Sequence, residues 1–387
     1  MKVYSLPVWV FVIIFAMSTW SDGARRLGHS IETRFDSLRY DLKKKLKYDQ
    51  PLQVVPYNGY GNQETLFLKG RVFENKGNLD RQTQESLWKN LTQAYQRFES
   101  DEVPDLELIA RFQDLQVNIR TDEEGYFSVN LPTPENLNWE QLWHEVSIEV
   151  PAQNSLKTAT ETVSGKILIP PQDAEFGVIS DIDDTVMVTN ATSLLDMARL
   201  SFMHSPASRL PFAGVADFYQ ALTHNTETGR RPIFYVSSSP WNLYDFLQEF
   251  MALNRLPEGP LLLRDFGLNA EQFFQSSHRQ HKLTQINNVM STYPELSFIL
   301  IGDSGQHDPE IYTEVVAARP HQVKAIYIRD VTNNPLRTEA IANLTEQVSK
   351  HGIDLLLTTD TGKAQEHALA NGYISPVSLQ PANGQAL

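Results

Sequence analysis

Cysteine is absent from all 387 residues. Its absence removes disulfide frameworks, thiolate nucleophiles and Cys-ligated zinc together, and leaves the compartment open. Basic charge is also scarce: 33 Lys and Arg against 47 Asp and Glu give a net charge of −14. That balance argues against a general nucleic-acid binder, which must neutralise phosphates with Lys and Arg. No internal repeat or long low-complexity segment is present. Apolar residues make up 41% and charged residues 21%, so the chain can bury a full core and its bulk is neither disordered nor fibrous. At about 150 residues per domain, the length suggests two or three domains.

The charge is unevenly spread. Between Arg25 and Lys47 stand eight Lys/Arg and three Asp/Glu, whereas the rest of the chain is strongly acidic. Ahead of this stretch, residues 3–21 carry no charge, 8–17 form an unbroken apolar run and Lys2 precedes it. This pattern over residues 1–24 is expected to be a signal peptide or, as the alternative, an uncleaved membrane anchor; either makes the protein exported or membrane-associated. Leu27, Ile31, Phe35, Leu38, Leu42 and Leu46 then recur at helical spacing, flanked by basic residues. Residues 25–50 are therefore expected to form a basic amphipathic helix. It either lies on an anionic membrane surface or docks on the acidic body with its lysines solvated.

From 51 to 170 the texture changes to short alternating runs. Segments 65–73, 115–119, 126–131, 145–150 and 165–169 read as strands, with a turn at Asp122 to Gly125. Residues 79–100 read as a helical insertion with Leu87, Leu91, Tyr95 and Phe98 on one face. The expectation is an antiparallel β-sandwich carrying that helix. Gly59 and Gly61 could suggest a phosphate loop, but without the strand-to-helix setting they read as a turn.

Pro170 and Pro171 mark a boundary, and beyond it strands alternate with helices, which implies α/β architecture with a doubly wound parallel sheet. Strands are expected at 176–180, 232–236, 298–301 and 323–328. Helices are expected near 215–223, 241–253, 282–292 and 311–318. Ligands of such sheets sit outside the carboxyl ends of the strands. The first strand ends in Asp181, Ile182, Asp183, Asp184 and Thr185; the second in Ser237, Ser238, Ser239 and Pro240; the third in Gly302 and Asp303, with Asp308 five residues on. Clustered carboxylates repel one another unless a cation neutralises them, and oxygen ligands from two strand ends describe a hard-cation site, with Mg2+ the economical choice. The candidate metal ligands are Asp181, Asp183, Asp303 and Asp308.

Those parts suggest phosphoryl transfer. Asp181 can attack phosphorus, and Asp183 can protonate the leaving alkoxide and later accept a proton from water. Lys282, Ser237, Ser238 and Thr185 are the candidate phosphate-binding groups, with Lys282 also a catalytic candidate. The serine following the strand directly, Ser237, is the first choice. The serines could also simply cap the next helix. His278 and His281 lack a third soft ligand nearby, which argues against a metal pair.

The set Asp181-x-Asp183-x-Thr185, Ser237, Lys282 and Gly302-Asp303 with Asp308 resembles the four signature motifs of the HAD (haloacid dehalogenase-like) phosphatases, in order. The wording around them resembles one branch, the Mg2+-dependent phosphatidate phosphatase family of the yeast actin-patch type. It comprises residues 180–185, 235–245, 263–267 and 301–312, with Tyr57, Gly59 and Gly61 ahead of them. The likeness spans about 54–330. It implies a HAD-like catalytic domain over 171–334, hydrolysis of phosphatidate to diacylglycerol and phosphate through an aspartyl-phosphate, Mg2+ as cofactor and a phospholipid substrate. A small cap segment, 186–230, is expected between the first two strands; its apolar residues could rim an acyl site or pack as a plain flap. Residues 335–387 read as a helical extension and polar tail with no assigned chemistry. Two alternatives stand beside the lipid reading: a phosphatase of soluble phosphomonoesters or phosphoproteins, and a catalytically silent membrane-binding scaffold.

Overall fold

The computed structural model describes residues 52–74, 103–151, 162–182, 185, 214–225, 229–264, 278–332 and 334–376. The expected signal or anchor segment, the basic helix at 25–50, the insertion at 79–100, Asp183, residues 186–213 of the cap and the tail beyond 376 lie outside them.

The first half builds strands β1 (Leu52–Pro56), β2 (Gly59–Gly61), β3 (Thr65–Glu74), β4 (Glu107–Phe112), β5 (Leu115–Arg120), β6 (Tyr126–Pro132), β7 (Trp143–Glu149) and β8 (Thr162–Leu168). Alternate residues point inward, as a sheet with one covered face requires. Leu108, Ala110 and Phe112 of β4, and Val146 and Ile148 of β7, are fully or almost fully buried in one apolar cluster with Leu66, Leu68 and Val129. The expected two-layer sandwich is a single hydrogen-bonded sheet in the order β1-β3-β2-β8-β7-β4-β5, with β6 also on β3. The reason is β3. Ten residues long, it pairs along one side with β1 and β2 and along the other with β6, so it joins what would otherwise be separate layers. The turn before β6 forms as expected: Asp122 accepts from the Glu124 and Tyr126 N–H groups, and Gly125 takes φ +79°.

The expectation of a turn at Gly59–Gly61 is corrected. The segment is strand β2, antiparallel to β3 and parallel to β8. A Cβ on Gly59 would lie 2.0 Å from the Phe67 carbonyl oxygen, so the glycine permits close approach of strands rather than a loop.

The second half alternates. Its elements are β9 (Gly177–Asp181), α1 (Val215–Thr223), a short β10–β11 pair (His224–Asn225, Gly229–Arg230), β12 (Ile233–Pro240), α2 (Tyr244–Leu253), β13 (Leu261–Arg264) and α3 (His278–Thr292). There follow β14 (Phe298–Asp303), α4 (Asp308–Ala318), β15 (Val323–Arg329), α5 (Pro335–Ser349), β16 (Asp354–Thr358) and α6 (Thr361–Ala370). The six-stranded sheet is ordered β13-β12-β9-β14-β15-β16 and its printed pairings are all parallel. Every residue of β9 and β14 is buried, because helices cover both faces. Val178, Tyr235 and Ile299 pack with α1, α2 and α6; Ile179, Phe234 and Leu300 pack with α3, α4 and α5.

Three sequence expectations change here. β13 is a strand that was not expected, and β16 extends the same sheet, so the expected boundary at 334 cuts through one hydrogen-bonded unit. Within the expected cap at 186–230, α1 buries Val215, Phe218, Tyr219 and Leu222 in the core and is a layer helix of the sheet.

The two halves meet through aromatic groups. Tyr57 stacks on Trp241 with ring centroids 4.5 Å apart, the Asn58 N–H donates to the Tyr244 hydroxyl at 2.7 Å, and the Tyr293 hydroxyl donates to the Gly61 carbonyl at 2.9 Å.

Candidate active site

The chain leaves β9 for β12 on one side of the sheet and enters β14 on the other. The strand order therefore reverses between β9 and β14, the position where open α/β sheets leave a crevice at their carboxyl ends. Asp181 ends β9 and Asp303 ends β14. Asp308, in the first turn of α4, comes back to meet them. One ligand oxygen from each of Asp181, Asp303 and Asp308 lies within 4.8 Å of the others, and all three residues are buried.

Three buried carboxylates in that space need compensation. Part of it is Lys282, 3% exposed, near the start of α3. Its Nζ lies 2.8 Å from Asp181 Oδ1, 2.6 Å from Asp308 Oδ1 and 3.3 Å from Gln306 Oε1. The contacts to Asp308 and Gln306 are hydrogen bonds and that to Asp181 is an ion pair. Burial pulls the Lys282 pKa down, but the charges of Asp181 and Asp308 outweigh it and hold the group well above its ordinary value. Lys282 is therefore a permanent cation at this site.

Asp303 is the opposite case. Burial, followed by the neighbouring Asp308 charge, pushes its carboxyl up to about 7, against the pull of Lys282 and two backbone N–H groups. Those N–H groups, from Gly305 and Gln306, donate to Oδ1 at 2.6 and 2.9 Å. Oδ2 is buried and makes no hydrogen bond. A buried carboxylate oxygen without a donor, facing two further carboxylates, suits an oxygen-seeking divalent cation.

The loop from 303 to 310 is held from outside. Arg337 on α5 donates to the carbonyls of Ser304 and Gln306 at 2.7 Å each and pairs with Glu310. Sequence reasoning assigned residues beyond 334 no chemistry; Arg337 gives that segment a share in shaping the site. Gly302 is required by packing, since a Cβ there would stand 2.6 Å from Asp308 Oδ2.

Of the expected phosphate binders, Thr185 donates to Asp181 Oδ2 at 3.3 Å. Ser237 and Ser239 are buried, their hydroxyls 2.6 Å apart, and the Ser239 N–H donates to Ser237 Oγ at 3.0 Å. The Ser238 hydroxyl is buried without a hydrogen-bond partner. The helix-cap reading is corrected: the serines belong to β12, and α2 starts four residues after Pro240 with no side-chain cap. Strand pairing with β13 carries β12 past the serines, which the hydroxyl-rich composition concealed. His281 Nε2 lies 3.1 Å from the Ser237 carbonyl oxygen; burial, followed by the Arg264 and Lys282 charges, pushes its pKa down to about 4. His281 thus serves the backbone of the serine segment. A cleft of about 760 Å³ lined by Trp139, Trp143, Asp173 and Arg230 opens at the other end of the sheet, where the strands begin, and contains none of these groups.

Residues 176–330 match the family described as "Phosphatidate phosphatase APP1, catalytic domain". The family resemblance read from the motifs holds over this segment. Phosphatidate phosphatase APP1 of Saccharomyces cerevisiae is 32% identical over 203 residues, covering 51% of this chain and 33% of that protein. An uncharacterized protein of Schizosaccharomyces pombe, C29B5.04c, is 25% identical over 221 residues, covering 57% of this chain and 35% of its own. The chain thus spans about a third of the length of these relatives. A carbohydrate acetylesterase structure from Xanthomonas citri aligns with TM-score 0.25 and 10% identity over 75% of this chain and 72% of that one.

Proposed function

We propose that the chain is a metal-dependent phosphatidate phosphatase with a HAD-type catalytic domain, releasing inorganic phosphate and diacylglycerol. The observation that carries this reading is the buried Asp181–Lys282–Asp308 arrangement beside the unpartnered Asp303 oxygen, inside the segment that matches the APP1 catalytic domain.

Asp181 acts as the nucleophile. Its carboxylate oxygen forms a bond to phosphorus as the phosphorus–alkoxide bond breaks, leaving an aspartyl-phosphate. Asp183, two residues beyond the strand end, gives its proton to the departing alkoxide. It then takes a proton from the water whose oxygen attacks phosphorus, and phosphate leaves as Asp181 is restored. Ser237, Ser238, Thr185 and Lys282 are the groups offered to the phosphoryl oxygens, Lys282 after exchanging one of its present partners. Asp181, Asp183, Asp303 and Asp308 would hold Mg2+, which supplies positive charge where the transferring group is most negative. The hard oxygen donor set and the orphaned Asp303 oxygen fit that ion.

Residues 1–24 and the basic stretch to 47 would bring this site to a membrane or through it, where a phospholipid is presented. The test is phosphate release from phosphatidate in mixed micelles, with and without Mg2+, beside a panel of soluble phosphomonoesters. Asp181→Asn, with folding verified, is expected to lower release at least about 1000-fold. Release confined to soluble esters moves the substrate. An Asp181→Asn enzyme of normal activity ends the nucleophile assignment.

A further inference from the structure

One charged group at the carboxyl edge of the parallel sheet has no role in the scheme above. Arg264 ends β13 and is 4% exposed. β12 and β13 pair at Tyr235/Leu261 and Val236/Leu262, then again at Pro240/Arg264. Between those points three serines on β12 stand against the single Leu263 on β13. Extra residues on one strand make a bulge, which bends the strand and re-aims its side chains. The bulge begins one residue beyond Val236, the partner of Asp181 across β9 and β12. The serine hydroxyls, Arg264 and Asp181 thus share one end of three adjacent strands.

The Lys282 ammonium already has Asp181, Asp308 and Gln306 around it. The Ser238 hydroxyl, inside the bulge, is buried and makes no hydrogen bond. Arg264 is near enough to His278 and His281 for its charge to help hold both imidazoles neutral, as Lys282 does. Arg264, at the end of β13, and Lys282, on α3, thus both act on His281, whose Nε2 lies 3.1 Å from the Ser237 carbonyl oxygen at the start of the bulge. A phosphomonoester brings up to two negative charges, and a guanidinium offers a planar fork that matches two of its oxygens.

We propose that Arg264 is a substrate-binding residue that, with the hydroxyls of the serine bulge, recognises the second negative charge of the phosphoryl group and selects doubly charged phosphomonoesters over singly charged oxyanionic groups. The proposal rests on the phosphatase reading and deepens it. It assigns the discrimination between substrates to a strand end that carries no carboxylate of the proposed metal site.

Tungstate and perrhenate test it, being tetrahedral oxyanions that differ by one charge. Their binding to the full chain is measured by calorimetry at pH 8 with Mg2+ present. The wild type should hold tungstate at least about tenfold tighter than perrhenate. Folded Arg264→Gln should lose about 10- to 100-fold of its tungstate affinity and change little toward perrhenate. Arg264→Lys, which keeps the charge and loses the fork, should fall between. Unchanged tungstate binding by folded Arg264→Gln, or equal binding of both anions by the wild type, overturns the proposal. If Arg264→Gln does not fold, unchanged tungstate binding by Arg264→Lys overturns it instead. A wild type that binds neither anion removes the phosphate site itself, a failure of the phosphatase reading that takes this proposal with it.

Discussion

Replacing Lys282 with methionine isolates the electrostatic contribution of the buried cation, because the two side chains have similar length. In the wild type Lys282 contacts Asp181 and Asp308 and lowers the Asp303 pKa. Removing one partner of a buried ionic group costs about 3–5 kcal/mol, since the remaining charges stay out of water. At roughly 2–4 °C per kcal/mol for a domain of this size, the melting temperature should fall by about 6–20 °C. The loss must depend on pH. Lys282 has its folded pKa raised, so its contribution is complete below about 10.5 and present at both pH 8 and pH 5.5. Asp303 also has its folded value raised, from 3.8 to about 7. For a carboxyl this means stability that is intact at low pH and lost as pH rises through 7. Without Lys282 that value rises further, and each added unit costs about 1.4 kcal/mol once the group is ionised. The variant should therefore be more damaged at pH 8 than at pH 5.5. The measurement is thermal unfolding by circular dichroism in EDTA at both pH values. An equal loss at the two would mean lost packing alone and would refute the electrostatic argument; no loss at either would refute the burial argument as well.

Two further outcomes follow from the same geometry. Because Asp303 titrates near 7 and ligates only when ionised, the apparent affinity for Mg2+ should rise by up to about tenfold per pH unit below 7 and level off above it, with proton release on binding. Titration calorimetry in two buffers checks this, and an affinity flat from pH 5.5 to 8 counts against Asp303 as a ligand. Gly302→Ala should displace Asp308, whose carboxylate stands 2.6 Å from the new Cβ. Overpacking of this kind costs about 1–3 kcal/mol, and Mg2+-induced stabilisation should fall with it; a variant that keeps both wild-type stability and wild-type Mg2+ response contradicts the packing account.

Much of this protein is legible in its sequence because the relevant signals are local. Apolar runs such as 298–301, too short for a helix of their own and set between helical stretches, read as strands buried on both faces, and a carboxylate following such a run then falls at a strand end. Asp181 and Asp303 were accessible to that reasoning, and so was Lys282 once its place before the third strand was seen. The structure then brings the three together with Asp308. Other features depend on pairing, which sequence does not display. The serines look like a helix cap until β13 is seen to continue β12 past them, because a bulge is defined by the partner strand. Gly59 looks like a turn until β3 and β8 are found against it. Arg337 lies 34 residues beyond Asp303 in a helix of ordinary composition, and only packing of α5 on the sheet directs it to the 303–310 loop. The sequence by itself determined which carboxylates stand at the strand ends, since backbone direction and hydrophobic burial settle that locally. Tertiary structure alone decided which strands lie side by side, and with it which Asp303 oxygen is left without a donor and which carboxylates Lys282 meets, because those depend on contacts between residues far apart in the chain.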